Sequence, residues 1–293
     1  MAGAIFEAIR AQLEALASPE MRARVMPVGD WPLVRIAPPA SAADMRAFEA
    51  QVGDVPDGLA RFFRDFSAGV EVAWQLRGRF DPPGSYHLVP DEMPPEPFME
   101  YPRAPDAQGN YPPDLEQVPV ITSGSLNLTL EGAARAFAAV PGWIDLYTPP
   151  PGGNPRQAGH FRGIREFMVG GHAFATAPNG DWLAVDQRAG TGCLLHVSHE
   201  GEESGIEIDL GLAEFVLHQA MLGVPGIDYP QVFMFSRTVE YSAGVDAPYS
   251  EATFDALSDA GEIWREWFWA PLGGPLAVDP ALLGRCGGAA AVS

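Results

Sequence analysis

The chain has 293 residues, 47% of them hydrophobic, enough for one large domain or two small ones with a proper core. Its formal net charge is −20, and all 18 basic residues are arginine. With no lysine it can hold no Schiff-base lysine, P-loop lysine or lysine general base, and its acidic surplus argues against unaided nucleic-acid binding.

In chain order, Ile5, Ile9, Leu13 and Leu16 recur at helical spacing, so Ala4–Ala17 is expected to form an amphipathic helix ended by Ser18-Pro19. Trp31–Ile36 reads as extended, with Pro32 placing it at a sheet edge, and Pro38-Pro39 breaks the chain after it. Ser41 followed by Asp44 resembles a capping box with Asp in place of Glu. Met45, Phe48 and Val52 form one stripe of a short helix stopped by Gly53. A second helix from Pro56-Asp57 carries Leu59, Phe62, Phe63 and Phe66 as a buried face and is expected to end at Gly69. Val70, Val72, Trp74 and Leu76 then alternate with Glu71 and Gln75, the pattern of a half-buried strand.

From Asp81 to Pro119 prolines recur every few residues, and Arg103 alone opposes the acids around it. Such proline density excludes a helix or a central strand and reads as a stiff surface excursion within an insertion, 77–159. Inside that insertion Leu130–Val140 reads as a helix stopped by Pro141-Gly142, and Trp143–Tyr147 as a strand.

The stretch His160–Gly223 reads as a three-stranded meander followed by a helix. Its strands are His172–Ala177, Trp182–Asp186 and Cys193–Ser198, with Asn179-Gly180 as a two-residue hairpin turn at positive φ. Ile206–Gly211 leads into the helix Leu212–Leu222, which Asp209 can cap and which Gly223 closes in the left-handed conformation. Gln231–Tyr241 is strand-like, and a last helix is expected from about Ser250 to Trp269. Helical spacing assigns Trp264 and Trp267 to the core and leaves Trp269 open between core and binding surface. The Gly/Ala/Pro-rich tail reads as loose. The chain thus divides into an N-terminal helix and extended segment (1–39), one domain (40–270) and a flexible tail (271–293).

Cys193 and Cys286 are too few for a disulfide scaffold and read as reduced thiols. The N-terminus lacks a basic region followed by an apolar core, and no run reaches the roughly 18 apolar residues of a membrane span, so a cytoplasmic, monomeric protein is expected.

No catalytic constellation stands out. His196 and His199 are three apart on a strand and point to opposite faces, which disfavours a shared metal, and Cys193 with His196 fails likewise. His172 follows Gly170-Gly171 but no G-x-S-x-G accompanies it, and Gly190-Thr-Gly192 reads as a turn rather than a phosphate loop. Asp181 and Asp186, an odd step apart across a strand, read as solvated strand-end carboxylates rather than an acid–base pair. The acidic run is the outstanding feature: Glu200, Glu202, Glu203, Glu207 and Asp209 open a series reaching Glu262 that Arg237 alone opposes. Such a surface serves solubility, and it also steers a cationic partner. These five acids, with Asp181 and Asp186, are the candidate partner-binding residues; no metal, cofactor or catalytic residue is expected.

The order of elements carries a resemblance. Phe48-Glu-Ala-Gln-Val-Gly-Asp-Val-Pro56 resembles the "E-x-x-x-G-x-x-L-P" entry of the SUKH superfamily, Smi/Knr-type branch. Arg61-Phe-Phe-Arg-Asp-Phe-Ser-Ala-Gly69 is similar to that family's helix end before its Trp-bearing strand. The Asn179-Gly180-Asp181-Trp182 hairpin, the Asp186 strand end and the helix around Phe215 resemble its later half. The chain departs from the family in its Ser67-Ala68-Gly69 and in the long insertion between Trp74 and His160. The resemblance covers about Ala40–Gly223 and implies an α+β, SUKH-like fold: a mostly antiparallel sheet of about 4–6 strands flanked by helices. It also implies a binding protein without enzymatic activity. Bacterial members are mostly immunity proteins that neutralise a cognate toxin, often a nuclease; fungal members are regulatory scaffolds. The expectation is therefore an immunity protein for a cationic toxin domain. The alternatives are an enzyme using His172, His196 or His199 with nearby carboxylates, or a scaffold.

Overall fold

The computed structural model of the chain describes residues 2–76, 123–146, 165, 168–177, 180–188, 190–197, 206–227, 238–243, 247–253, 264–274 and 276–284. The proline-rich excursion 81–119 lies outside them.

Helix α1 (Ala2–Leu16) buries Ile5, Ile9, Leu13 and Leu16, and Ser18 caps the single turn α2 (Pro19–Arg22) rather than only ending α1. Short strands β1 (Val25–Pro27) and β2 (Val34–Ile36) follow. Helix α3 (Ala42–Val52) begins with the expected capping box: Ser41 Oγ accepts the Asp44 N–H at 3.2 Å, and the Asp44 carboxylate accepts the Ser41 N–H at 3.0 Å. These bonds hold the Asp44 carboxyl below the usual carboxylate range. Helix α4 (Asp57–Arg61) widens into a π-helical turn, Phe62–Phe66, and Leu59, Phe62, Phe63 and Phe66 are all buried as their spacing demands. It stops at Ser67, two residues before the expected Gly69, because Ser67 turns extended and its hydroxyl donates to the Ala37 carbonyl.

The fold is α+β with two antiparallel sheets, not the single sheet expected. In the first, β3 (Gly69–Leu76) is central: β1 and β2 lie end to end along one edge, and β4 (Ser123–Thr129) pairs with the other. Pairing on both edges buries more of β3 than its alternation implies, since Ala73 and Gln75 are enclosed as well as Trp74. The second sheet is a six-stranded meander in the order β5 (Gly171–Thr176), β6 (Trp182–Asp186), β7 (Leu194–Val197), β8 (Ile206–Ile208), β9 (Thr238–Ala243) and β10 (Ala247–Thr253). The expected three-stranded meander is its first half. β10 occupies residues expected to begin the last helix, whose described part is 264–269.

The turn joining β5 to β6 also differs. The Ala177 N–H donates to the Asp181 carbonyl and the Gly180 N–H to the Ala177 carbonyl, so three residues, not two, separate the closing pair. Gly180 takes φ +100°.

Segments expected to lie outside the body belong to it. Ser123–Leu146, assigned by sequence to the insertion, supplies β4 and helix α5 (Leu130–Leu146). α5 runs through Pro141 and turns the strand expected at Trp143 into helix. The hydrogen bond lost at proline is outweighed by packing, as Trp143 meets Trp182 edge-on at 5.5 Å. Val140, Trp143 and Ile144 cover a small core of Ala173, Trp182, Ala184, Leu195 and Val197 on one face of the second sheet. The other face joins the main core with α1, α4 and helix α6 (Leu212–Met221). The tail is docked through Gly284: Gln12 Nε2 donates to the Leu276 carbonyl at 2.9 Å, and Val278, Leu282 and Leu283 pack on the core.

The C-terminus of α6 is tied to distant segments of the chain. Its terminal carbonyls have no helical partner, and three indoles supply them. Trp269 Nε1 donates to Met221 at 2.7 Å, Trp264 Nε1 to Leu222 at 2.9 Å and Trp74 Nε1 to Gly223 at 2.6 Å. Trp269, which sequence left open, is thus core. Gly223 takes the expected left-handed conformation at φ +75°, and a Cβ there would lie 2.1 Å from the Phe268 ring. At the other end the N-cap is Gly211, with no side-chain cap, so Asp209 does not fill that role.

Candidate functional site

The strand register assembles an acidic row that residue spacing did not reveal. Glu207 on β8 stands opposite Glu240 on β9, which stands opposite Glu251 on β10. Three acidic positions therefore fall in one row of register across adjacent strands. On the β7 side the same row continues as Leu195, in the small core under α5. Of the acids proposed by sequence, Glu207 is in this row, Asp209 is half-buried beyond the end of β8, and Glu200, Glu202 and Glu203 lie outside the described residues, as does His199.

A cleft of about 660 Å³ opens where the first turns of α4 and α6 meet the β6–β7 loop. Gly190 and Gly192 take φ +66° and +71° there, and Thr191 Oγ1 accepts the Cys193 N–H at 3.3 Å, so Gly190-Thr-Gly192 is the turn its sequence suggests. The charged residues lining the cleft are Asp57, Asp186 and Glu214. Asp57 and Glu214 occupy first turns, where the helix dipole favours a carboxylate.

Asp186 is not a solvated strand-end carboxylate; it is 6% exposed. Its Oδ1 accepts the Arg188 backbone N–H at 2.8 Å and Arg188 Nε at 3.0 Å, and its Oδ2 accepts Arg188 Nη2 at 3.0 Å. The Arg188 stem lies against Gly170, where a Cβ would come within 2.3 Å of it. Asp181 is 1% exposed and reaches His196, itself fully buried, at 3.4 Å between Oδ2 and Nε2. The register explains this: His196 stands opposite Leu183, and Asp181 is two residues before Leu183 on the same face. Both aspartates were expected as solvated carboxylates at the surface; Asp181 is enclosed, and Asp186 reaches only the wall of the cleft, clasped by Arg188. For Asp181 the sequence signal was parity with Leu183, and for His196 parity with Leu194, which counts only once the strands are paired.

His172 is 3% exposed, stacks on Phe137 at 4.7 Å, and its Nε2 has no partner among the described residues. Burial pushes its pKa down from 6.5 to about 4, so the ring is neutral at neutral pH. Neither His172 nor His196 lines the cleft. Among the described residues no group of three or more His, Cys, Asp or Glu could hold a metal ion, and no helix is long and apolar enough to cross a membrane.

The chain matches no known family model, no curated protein and no solved structure.

Proposed function

We propose that this chain is a non-enzymatic binding protein of the SUKH type, an immunity protein that neutralises a cationic toxin domain with its acidic surface. The observation that carries this reading is the acidic surplus of the chain, and the strand register supports it by bringing Glu207, Glu240 and Glu251 to opposed positions of β8, β9 and β10. A cationic surface is drawn to an acidic surplus of this kind and gains complementary pairing with it. The net charge of −20 extends the attraction beyond the row and speeds encounter. The element order from α3 to α6 and the burial of His172 and His196 are compatible with a body whose chemistry is recognition rather than turnover.

The test is titration calorimetry of the full chain against a basic toxin domain encoded beside it. A one-to-one complex is expected at low salt, weakening steeply toward about 1 M salt, where screening acts over about 3 Å. Replacing Glu207, Glu240 and Glu251 together by Gln is expected to weaken it by at least about tenfold, from the loss of roughly 1.4 kcal/mol. Absence of a complex, or a triple variant that binds as tightly as the parent, defeats the reading.

A further inference from the structure

Cys193 and Cys286 are the only cysteines, far apart in sequence, and the fold brings the chain that carries each of them to one cleft. Gly192, the residue before Cys193, and Gly284, two residues before Cys286, both line the cleft of about 660 Å³ at the first turns of α4 and α6. Both walls are fixed. The Cys193 carbonyl accepts the Asp186 N–H at 2.7 Å, which holds the β6–β7 loop to the end of β6. On the tail, Asp279 caps the short turn Pro280–Leu282, and Leu282 and Leu283 pack on the main core, so the chain reaches Gly284 from an anchored start. A Cβ at Gly192 or Gly284 would meet nothing within 4 Å among the described residues. Cys193 itself is a half-buried free thiol.

Arg285 and Cys286 lie beyond the described residues, and covalent geometry sets their reach. The Cα of Cys286 lies within about 7 Å of that of Gly284, and the Cα of Cys193 about 4 Å from that of Gly192. With the roughly 5.5 Å that a disulfide spans between Cα atoms, the total reach is about 16 Å, against a breadth on the order of 10 Å for a cleft of this volume. Charge sends the tail the same way. The charged lining of the cleft is Asp57, Asp186 and Glu214, and Arg285 is the only charged residue after Asp279. Arg188 already pairs with Asp186, and the helix N-termini offset part of the other two carboxylates, which leaves roughly one net negative charge for one arginine.

We propose that Arg285-Cys286 is a redox-sensitive strap: oxidation joins Cys286 to Cys193 and draws the tail across the cleft, which stands open while both thiols are reduced. The oxidant is a small-molecule disulfide such as oxidised glutathione. One cysteine thiolate attacks it and expels a glutathione thiolate, leaving a mixed disulfide. The other cysteine thiolate attacks the cysteine sulfur of that mixed disulfide and expels the second glutathione. The two cysteines give up two electrons and two protons, and both leave on two molecules of reduced glutathione. In a reducing compartment such a bond forms only under oxidative challenge, the behaviour of a sensor rather than of a structural staple. The strap needs no partner and stands apart from the binding reading.

The test equilibrates the dilute full chain with oxidised glutathione and about 0.1 mM reduced glutathione, then maps it by proteolysis and mass spectrometry without reduction. A tether this short sets an effective thiol concentration on the order of 1 mM, so a linked Cys193–Cys286 peptide is expected in at least about tenfold excess over glutathione adducts at either cysteine. Urea is expected to abolish that excess, because only the fold brings Gly192 and Gly284 to one cleft. Arg285→Glu is expected to lower it several-fold, and hydrogen exchange at 190–192 is expected to slow several-fold in the linked form. Adducts at both cysteines without a linked peptide, or links between chains alone, overturn the strap. So does an excess unchanged by urea or by Arg285→Glu, or exchange at 190–192 that oxidation leaves unaltered.

Discussion

At the C-terminal end of α6 the carbonyls of Met221, Leu222 and Gly223 each accept an indole N–H, whereas at its N-terminal end Gly211 offers no side-chain cap and the first turn borders an open cleft. One helix is therefore sealed at one end and left adjustable at the other. The sealed end gathers chain from three distant places, through Trp74, Trp264 and Trp269, and burial makes each of those hydrogen bonds expensive to lose. The open end carries Glu214 beside water, where small changes cost little. Stability and surface chemistry are separated along a single element.

Substitutions at the two ends are expected to differ sharply. The largest effect belongs to Gly223→Ala, which combines a left-handed backbone with a Cβ 2.1 Å from Phe268. A loss of about 3 kcal/mol in urea unfolding is expected, and a loss below about 1 kcal/mol would break the claim that this end is sealed. Next, Trp269→Phe leaves the buried Met221 carbonyl without its donor at a cost of about 2 kcal/mol, measured in the same way. Trp74→Phe should cost a similar amount through Gly223 despite lying in the other half of the chain. At the open end Gly211→Ser adds an N-cap oxygen and should stabilise by only a few tenths of a kcal/mol, since Gly and Ser caps differ little and Glu214 can swing aside. A destabilisation there comparable to Gly223→Ala would erase the contrast between the ends.

Residues whose role depends on near neighbours were legible. Ser41 and Asp44 cap each other three residues apart, Leu59, Phe62, Phe63 and Phe66 share one helical face, and Gly223 ends α6 because a short chain segment must turn there. Residues whose role depends on distant ones were not. Pro141 reads as a stop until Trp143 finds Trp182, and Asp181 reads as a surface acid until β6 and β7 bring His196 beside it. The acidic row shows the same limit: Glu207, Glu240 and Glu251 are merely three acids of a long run until β8, β9 and β10 come into register.

By itself, the sequence determined the capped start of α3, the glycine end of α6, the apolar stripes, the overall negative charge and the absence of lysine chemistry, because each follows from local backbone preference or simple composition. Only the tertiary structure decided that the strands divide between two sheets, which aspartates are buried, and which acidic positions come into register across the second sheet. Those outcomes turn on strand pairing, and a shift of one residue in register moves every side chain to the opposite face.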